Sequence, residues 1–263
     1  MFVLALLALA QPIDTVRYDI RYPNAVHHEA EVTVTFPAAG RDTVEVWMSR
    51  SSPGRYAMHE FAKNVYSVSA TDAAGRALPI VRRDPYRWLV VARGRQVTFR
   101  YTLFADRAGG TYTGIDRTHA HMNMPATFAW ARGYDALPIA IRFHPPEGSG
   151  WKAATQLVPT RDPMAFTAPD LQYFMDSPTE LSDHAVRSWT IAGPGGRVDT
   201  IRIAMHHQGT DAELDAYVAT GEGSACAGGY RAEALGAQLI AEVQGDLNPF
   251  VEHPSLSEQV DDF

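Results

Sequence analysis

The sequence has one cysteine, Cys226, so it cannot form a disulfide within the chain. It also lacks an excess of basic residues: 23 lysines and arginines stand against 30 aspartates and glutamates, a net charge of −7. Proteins that bind nucleic acid through its phosphates need clustered positive charge. The charge balance therefore excludes a broadly basic nucleic-acid binder, and an apolar content of 46% excludes an intrinsically disordered chain.

No hydrophobic run reaches the ~20 residues that a membrane-spanning helix needs. Residues 1–10 are uncharged and almost wholly apolar, and they end in Ala8-Leu9-Ala10. A short apolar stretch that ends in small residues is typical of a secretory signal peptide. The alternative is a short apolar first strand. Export of a chain that cannot form an internal disulfide indicates a periplasmic or secreted protein.

Apolar and polar residues alternate with a period of two from Val16 to Met205. On a strand, this alternation places apolar side chains on a buried face and polar side chains on a wet face. Clear runs start at Val16, Val32, Val44, Val97, Ile139 and Ile201. Turn residues separate them, so we predict about ten strands in a mainly β fold, an antiparallel β-sandwich with a short helical C-terminal segment.

The pattern changes near Thr210. The segment Thr210-Asp-Ala-Glu213 is a capping box, which predicts the start of a short helix. Residues 221–229 are rich in small residues and are typical of a linker, and the chain then ends in a helical pattern and an acidic tail. We therefore predict a signal-like segment at 1–10, a β-sandwich domain at 11–209, and a helical, linker-like and acidic tail at 210–263.

A complete zinc-peptidase motif is missing. Such an enzyme uses H-E-x-x-H on a helix, where two imidazoles bind zinc and the glutamate activates water. The sequence has His59-Glu-Phe-Ala-Lys63, in which a lysine stands in the place of the second histidine. A cation at that position would oppose a metal ion, so we interpret the fragment as a loop or short helix.

A second histidine pattern lies at His119-Ala120-His121. On a strand, residues two apart share a face, so the two imidazoles could chelate one metal ion. A third ligand would have to come from elsewhere in the chain, such as His27, His28 or Glu29. Polar strand histidines without a metal are the simpler interpretation.

Several short motifs, taken in order, resemble a known family. The longest are Ser51-Ser-Pro-Gly-Arg-Tyr56, His59-Glu-Phe-Ala-Lys-Asn-Val65 and Thr118-His-Ala-His-Met-Asn-Met-Pro-Ala-Thr-Phe128. Shorter ones are Asp84-x-x-x-Trp88, Tyr101-Thr-Leu-Phe-Ala-Asp106 and Asp176-Ser-Pro-x-Glu180. Over about residues 16–217, the chain resembles the amino-terminal domain of the glycyl-aminopeptidase family of zinc metallopeptidases.

The resemblance implies a larger secreted enzyme that removes amino-terminal glycine or alanine from peptides. In that family, a β-sandwich precedes a thermolysin-like catalytic domain, which carries the zinc. This chain contains no H-E-x-x-H, so we assign it no catalytic residue, no metal ligand and no cofactor, and we expect it to be inactive alone. Residues after Tyr217 depart from the family pattern, which suggests a truncated or frameshifted gene with a non-native tail.

The resemblance also implies a position near the peptide cleft for the segment His119 to Phe128. We expect His119, His121 and Asn123 to be cleft contacts, although the side chain of Asn123 could instead satisfy loop backbone groups. The implied partners are the catalytic domain of the same polypeptide and short peptides, with no nucleic acid and no membrane span. Two alternatives stay open: a stand-alone periplasmic module that binds a peptide or a metal, and a small metal hydrolase built on the strand histidines.

Overall fold

The computed structural model describes residues 15–52, 57–107, 110–192, 196–206 and 219. Within them the strands are β1 (Val16–Asn24), β2 (Glu29–Phe36), β3 (Thr43–Trp47), β4 (Val65–Thr71), β5 (Ile80–Asp84), β6 (Arg87–Val91), β7 (Val97–Phe104), β8 (Thr113–Ile115), β9 (His119–Met122), β10 (Trp130–Ala131), β11 (Ile139–His144), β12 (Lys152–Thr155), β13 (Val158–Pro159), β14 (Ala165–Ala168), β15 (Thr179–Ser182), β16 (Ala185–Ala192) and β17 (Val198–Met205). The α-helices are α1 (Met124–Thr127) and α2 (Leu171–Met175), and 3-10 turns span Ala25–His27 and Phe61–Asn64.

The largest sheet has seven strands in the order β13-β14-β11-β1-β2-β7-β4. Its long strands alternate between buried and accessible positions, as the sequence pattern requires. The ladders are antiparallel except between β1 and β11, which run parallel with Val16 opposite Ile139. Antiparallel sheets tolerate one wet face, and here the other face supplies much of the core.

Two four-stranded sheets accompany the large one. The first has the order β10-β3-β6-β5, and the second has the order β12-β15-β9-β8. The segment from Asn123 to Ala129 joins them, because it leads from β9 through α1 to β10. A separate hairpin forms from β16 and β17, and most of its described side chains are exposed.

An aromatic cluster fills the centre of the core. The ring of Tyr18 stacks on Phe174 at a centroid distance of 4.7 Å, and Phe128 meets both rings edge-on. These side chains come from β1, α2 and the segment before β10, so the cluster ties three parts of the chain together. Aromatic pairs in such geometries stabilise a core beyond the area that they bury.

The predicted fold class is confirmed: the protein is mainly β, and antiparallel sheets pack together in a sandwich-like fold. The predicted strand runs coincide with β1, β2, β3, β7, β11 and β17. The described strands exceed the expected ten, because elements such as β8, β10, β12 and β13 have only two to four residues. Such short strands give too few residues for a period of two to show.

The predictions for the chain ends fall outside the described residues. These are the signal-like segment at 1–10, the tail at 210–263 apart from residue 219, and Cys226. The predicted domain boundary after residue 209 therefore stays a prediction. In the part of the chain that the structure covers, no helix has the length and apolar character needed to cross a membrane.

Candidate functional site

The strand β9 carries the two histidines that the sequence singles out. Pairing with β15 sets Glu180 opposite His121 and Ser182 opposite His119. The intervening residues Ala120 and Leu181 point to the other face and are completely buried. The core therefore fixes the strand pair from below and leaves His119, His121 and Glu180 together on a partly accessible surface, which we call the histidine face.

The central pair of the histidine face is His121 and Glu180. The Nδ1 atom of His121 lies 3.3 Å from Oε2 of Glu180. The other carboxylate oxygen, Oε1, is buried and has no hydrogen-bond partner among the described residues. The side chain of Glu180 is only 20% exposed. A buried carboxylate oxygen without a donor is costly, and only the remaining, accessible part of the Glu180 carboxylate can contact a molecule bound on the histidine face.

The charge of Glu180 affects the pKa of Tyr22, which lies beneath the histidine face. Burial, and next the nearby Glu180 carboxylate, raise the pKa of Tyr22 well above its ordinary value. Its hydroxyl donates to Sδ of Met122 at 3.3 Å and its ring packs edge-on against Trp151. Tyr22 therefore stays neutral and gives the histidine face a rigid floor.

Two further histidines join this region. The ring of His206, just after β17, lies over the ring of His119 with a centroid distance of 4.8 Å. His184, just before β16, is 2% exposed and its Nδ1 lies 3.2 Å from Oγ of Ser182. Burial, followed by the charge of Lys152, lowers the pKa of His184. Both ends of the hairpin are thus anchored beside the histidine face.

The outer end of the face is held by Asp116. Its Oδ1 accepts from Thr118 and from the backbone N–H of His119, and lies 3.3 Å from Nδ1 of His119. Partial burial acts to raise the pKa of Asp116, but the hydrogen bonds from Thr118 and the adjacent His119 outweigh it, and the pKa is lowered. Asp116 is therefore an ionised side chain that orients His119.

Asn123 lies away from this surface. It is 7% exposed, and its Nδ2 donates to Oγ of Ser52 at 3.0 Å and to the carbonyl of Thr111. Its side chain thus joins loops beside α1, as the alternative interpretation expects. The structure brings His119 and His121 together and places Asn123 beneath the surface. The role of all three as cleft contacts stays a prediction.

The side chains of the fragment that begins at His59 make packing and ion-pair contacts within the fold. Its Nδ1 lies 3.2 Å from the hydroxyl of Tyr112, and its ring stacks on Phe61 at 5.5 Å. Glu60 accepts from Arg50, whose Nε lies 2.9 and 3.0 Å from the two carboxylate oxygens. Lys63 lies over the ring of Tyr112. This is the loop and short helix expected from the sequence, with its charges engaged in packing.

The residues that the structure describes do not fit a zinc ion. Across the described ranges, no three histidine, cysteine, aspartate or glutamate side chains are grouped so that they could hold a metal. Of the suggested third ligands, His28 has Nδ1 2.6 Å from the carbonyl of Ile115 and Nε2 3.5 Å from Asp106. Glu29 accepts from Asn24 and Tyr66. No catalytic step can be derived from a metal on these side chains.

Comparison with protein families identifies the class. The model of the peptidase M61 N-terminal domain matches residues 17–183, so the chain belongs to this family of peptidase amino-terminal domains. The resemblance predicted from the motifs is therefore confirmed, and zinc belongs to the catalytic domain of the family. A model of Maf-like proteins matches residues 184–251. No relative was found among the curated proteins.

One solved structure supports the fold, and a second is a more distant likeness. An aminopeptidase N family protein from Idiomarina loihiensis superposes with a TM-score of 0.68 at 22% identity, covering 78% of this chain and 35% of that one. An aminopeptidase A from Legionella pneumophila, solved with aspartic acid, gives a TM-score of 0.45 at 9% identity, covering 80% of this chain and 25% of that one. The present chain thus spans about a third of the length of the first of these structures, a likeness that shows the fold alone.

Sequence reasoning assigned no site role to three residues that the structure places here: Glu180, His184 and His206. Glu180 stood within a family motif, but its place opposite His121 depends on the register of two strands almost 60 positions apart. The histidines flanking the hairpin carried no periodic signal. The alternation in residues 179–182 was the available clue, since it places Glu180 and Ser182 on one face.

Proposed function

We propose that this chain is the non-catalytic amino-terminal domain of a secreted glycyl-aminopeptidase-like enzyme, cut off before the zinc-binding catalytic domain. In the whole enzyme, its histidine face would wall the peptide cleft and hold the amino terminus of the substrate. The observation that carries this proposal is Glu180, a carboxylate that is 20% exposed on the histidine face beside His121. The match to the peptidase M61 N-terminal domain supports it.

The chemistry of a peptide amino terminus suits this pair. A terminal ammonium group offers three hydrogen-bond donors and a positive charge, and a partly buried carboxylate is its natural acceptor. His121 would orient the Glu180 carboxylate, and the accessible part of that carboxylate would accept from the ammonium group. His119 would border the same cleft, and Asn123 would support its lip through Ser52 and Thr111.

Peptide binding by the whole chain tests the proposal. The probes are glycyl-alanine amide with a free amino terminus and the same peptide acetylated. We expect the free peptide to bind about tenfold more tightly, since a charge-assisted hydrogen bond to a partly buried carboxylate is worth about 1.5 kcal/mol. Glu180→Gln should remove this preference, because an amide does not attract the ammonium charge, and His121→Ala should weaken it.

The matched control is Glu147→Gln, which neutralises an exposed glutamate in the loop between β11 and β12. It should bind both peptides like the wild type. Equal binding of the free and acetylated peptides would contradict the proposal, and so would an unchanged preference in Glu180→Gln. Saturable binding without a preference for the free amino terminus would instead favour the stand-alone binding module.

The proposed export and truncation have tests of their own. If residues 1–10 are a signal peptide, the mature protein from the periplasm should begin at Gln11. If the gene is frameshifted, the DNA beyond the codon of Tyr217 should encode H-E-x-x-H in another frame. Absence of that motif from every frame would contradict the frameshift. The proposed role of the histidine face is tested separately, by the binding experiment.

A further inference from the structure

A groove of about 540 Å³ opens between α2 and the loop that follows β10. We define it as the acidic groove, because the charged side chains that line it are all aspartates: Asp135, Asp170 and Asp176. The backbone N–H of Leu171 donates to the carbonyl of Asp135 at 2.9 Å. This bond ties the two walls together, so the groove is already formed in the free protein.

The aspartates of the acidic groove retain acceptor capacity. Oδ1 of Asp170 caps α2 by accepting from Tyr173 at 2.8 Å, and Oδ2 of Asp135 accepts from Gly133 at 2.8 Å. Each contact uses one oxygen of its carboxylate. The Asp176 carboxylate is exposed and makes no hydrogen bond or ion pair with the described residues. The groove therefore attracts a cation that can approach several carboxylate oxygens.

An indole pair lies at the mouth of the acidic groove. Trp130, which lines the groove, stacks on Trp47 with a centroid distance of 5.9 Å and an interplanar angle of 19°. Arg87 and Arg132 lie over the ring of Trp47, 5.0 and 4.9 Å from its centroid. No described cation lies over Trp130. Two guanidinium groups thus already lie against the Trp47 ring, and Trp130 can accept a cation in the same way, since indole attracts cations more strongly than other aromatic side chains.

The remaining wall of the groove is apolar. Leu171 and Met175 are one helical turn apart on α2 and line the groove, while Phe174 points into the core and is completely buried. Both lining side chains are half-buried, and Met175 adapts its shape readily to a partner. The groove therefore combines an aliphatic wall with the indole ring of Trp130 and the carboxylates of three aspartates.

We propose that the acidic groove binds a basic peptide segment in which an arginine or lysine stands beside an aliphatic residue. The cation would lie on Trp130 among the carboxylates of Asp135 and Asp176, and the aliphatic side chain would pack on Leu171 and Met175. Residues 245–263 of the chain are unsuited, because they hold five acidic side chains and no lysine or arginine. The occupant that we propose is a basic segment of a partner polypeptide.

The test is calorimetric titration of the full chain with three tetrapeptides blocked at both ends. The first contains leucine followed by arginine, the second has citrulline in place of arginine, and the third has glutamate there. Blocked ends prevent recognition through an amino terminus at the histidine face. We expect the arginine peptide to bind about tenfold more tightly than the citrulline peptide, and more weakly as salt rises to about 0.5 M.

Variants locate the binding. The double change Asp135→Asn/Asp176→Asn should reduce binding of the arginine peptide about tenfold, and Trp130→Leu should reduce it similarly. Glu147→Gln is the matched control and should leave it unchanged. The aspartate variant alters exposed side chains and is expected to fold. It therefore tests the proposal even if Trp130→Leu fails to fold. Equal binding of the citrulline peptide, unchanged binding in the aspartate variant, or no binding at all would overturn the proposal.

Discussion

Removing the hydroxyl of Tyr101 is the change that most sharply tests how the fold positions the site. This hydroxyl donates to the carbonyl of Thr127 at 2.7 Å and accepts from the backbone N–H of Ala129 at 3.0 Å. Tyr101 is 2% exposed, and burial raises its pKa far above the ordinary value, so it stays protonated. It clamps the segment that connects β9, with its two histidines, to β10.

The change Tyr101→Phe removes the hydroxyl and leaves two buried backbone groups without their partner. Each such group costs about 1–3 kcal/mol, so we expect the free energy of unfolding to fall by about 2–4 kcal/mol. Tyr18→Phe removes a single bond, from its hydroxyl to the carbonyl of Ala129 at 3.0 Å, and should cost about half as much. Tyr173→Phe, whose bond to Gln156 lies at the surface, is the control.

Urea unfolding followed by tryptophan fluorescence measures these differences. The order of destabilisation should be Tyr101→Phe, then Tyr18→Phe, then Tyr173→Phe, with equal slopes against urea. The reasoning is refuted if Tyr101→Phe stays within about 0.5 kcal/mol of the wild type, or if Tyr18→Phe costs more.

Two further changes test the core and the anchor of the hairpin. Phe174→Ala should cost about 3–5 kcal/mol in urea unfolding, since Phe174 is completely buried against Tyr18 and Phe128, and a cost below about 1 kcal/mol would contradict the described packing. His184 has a lowered pKa in the folded state, so it stabilises the fold fully above its unfolded pKa and loses that contribution as the pH falls from about 7 towards 5. Unfolding measured across that range should show less acid sensitivity in His184→Gln than in the wild type; an identical pH profile would count against the assignment.

The long strands were predictable because each has one buried face. In β1, β2 and β7 the apolar residues recur at every second position, so a local pattern reports the global fold. The parallel pairing of β1 with β11 was not predictable, because it joins Val16 to Ile139 and no local feature records that register. The two-residue strands β10 and β13 give no period at all.

The candidate site was predictable in part for the same reason. Spacing alone places His119 and His121 on one face of a strand, and the structure has them there. The carboxylate beside them could not be assigned, since Glu180 reaches His121 only through the pairing of β9 with β15. Asn123 follows His121 by two positions, but its side chain lies in the core because β9 ends at Met122 and the chain turns into α1.

The central proposal is that this chain acts as a non-catalytic amino-terminal domain of a peptidase. The most direct measurement is hydrolysis of glycine and alanine amides by the purified chain, with one equivalent of zinc supplied. The account predicts no turnover above that of zinc alone. Turnover that a chelator abolishes and that His121→Ala removes would contradict it, because the histidine face would then be the centre of a metal hydrolase.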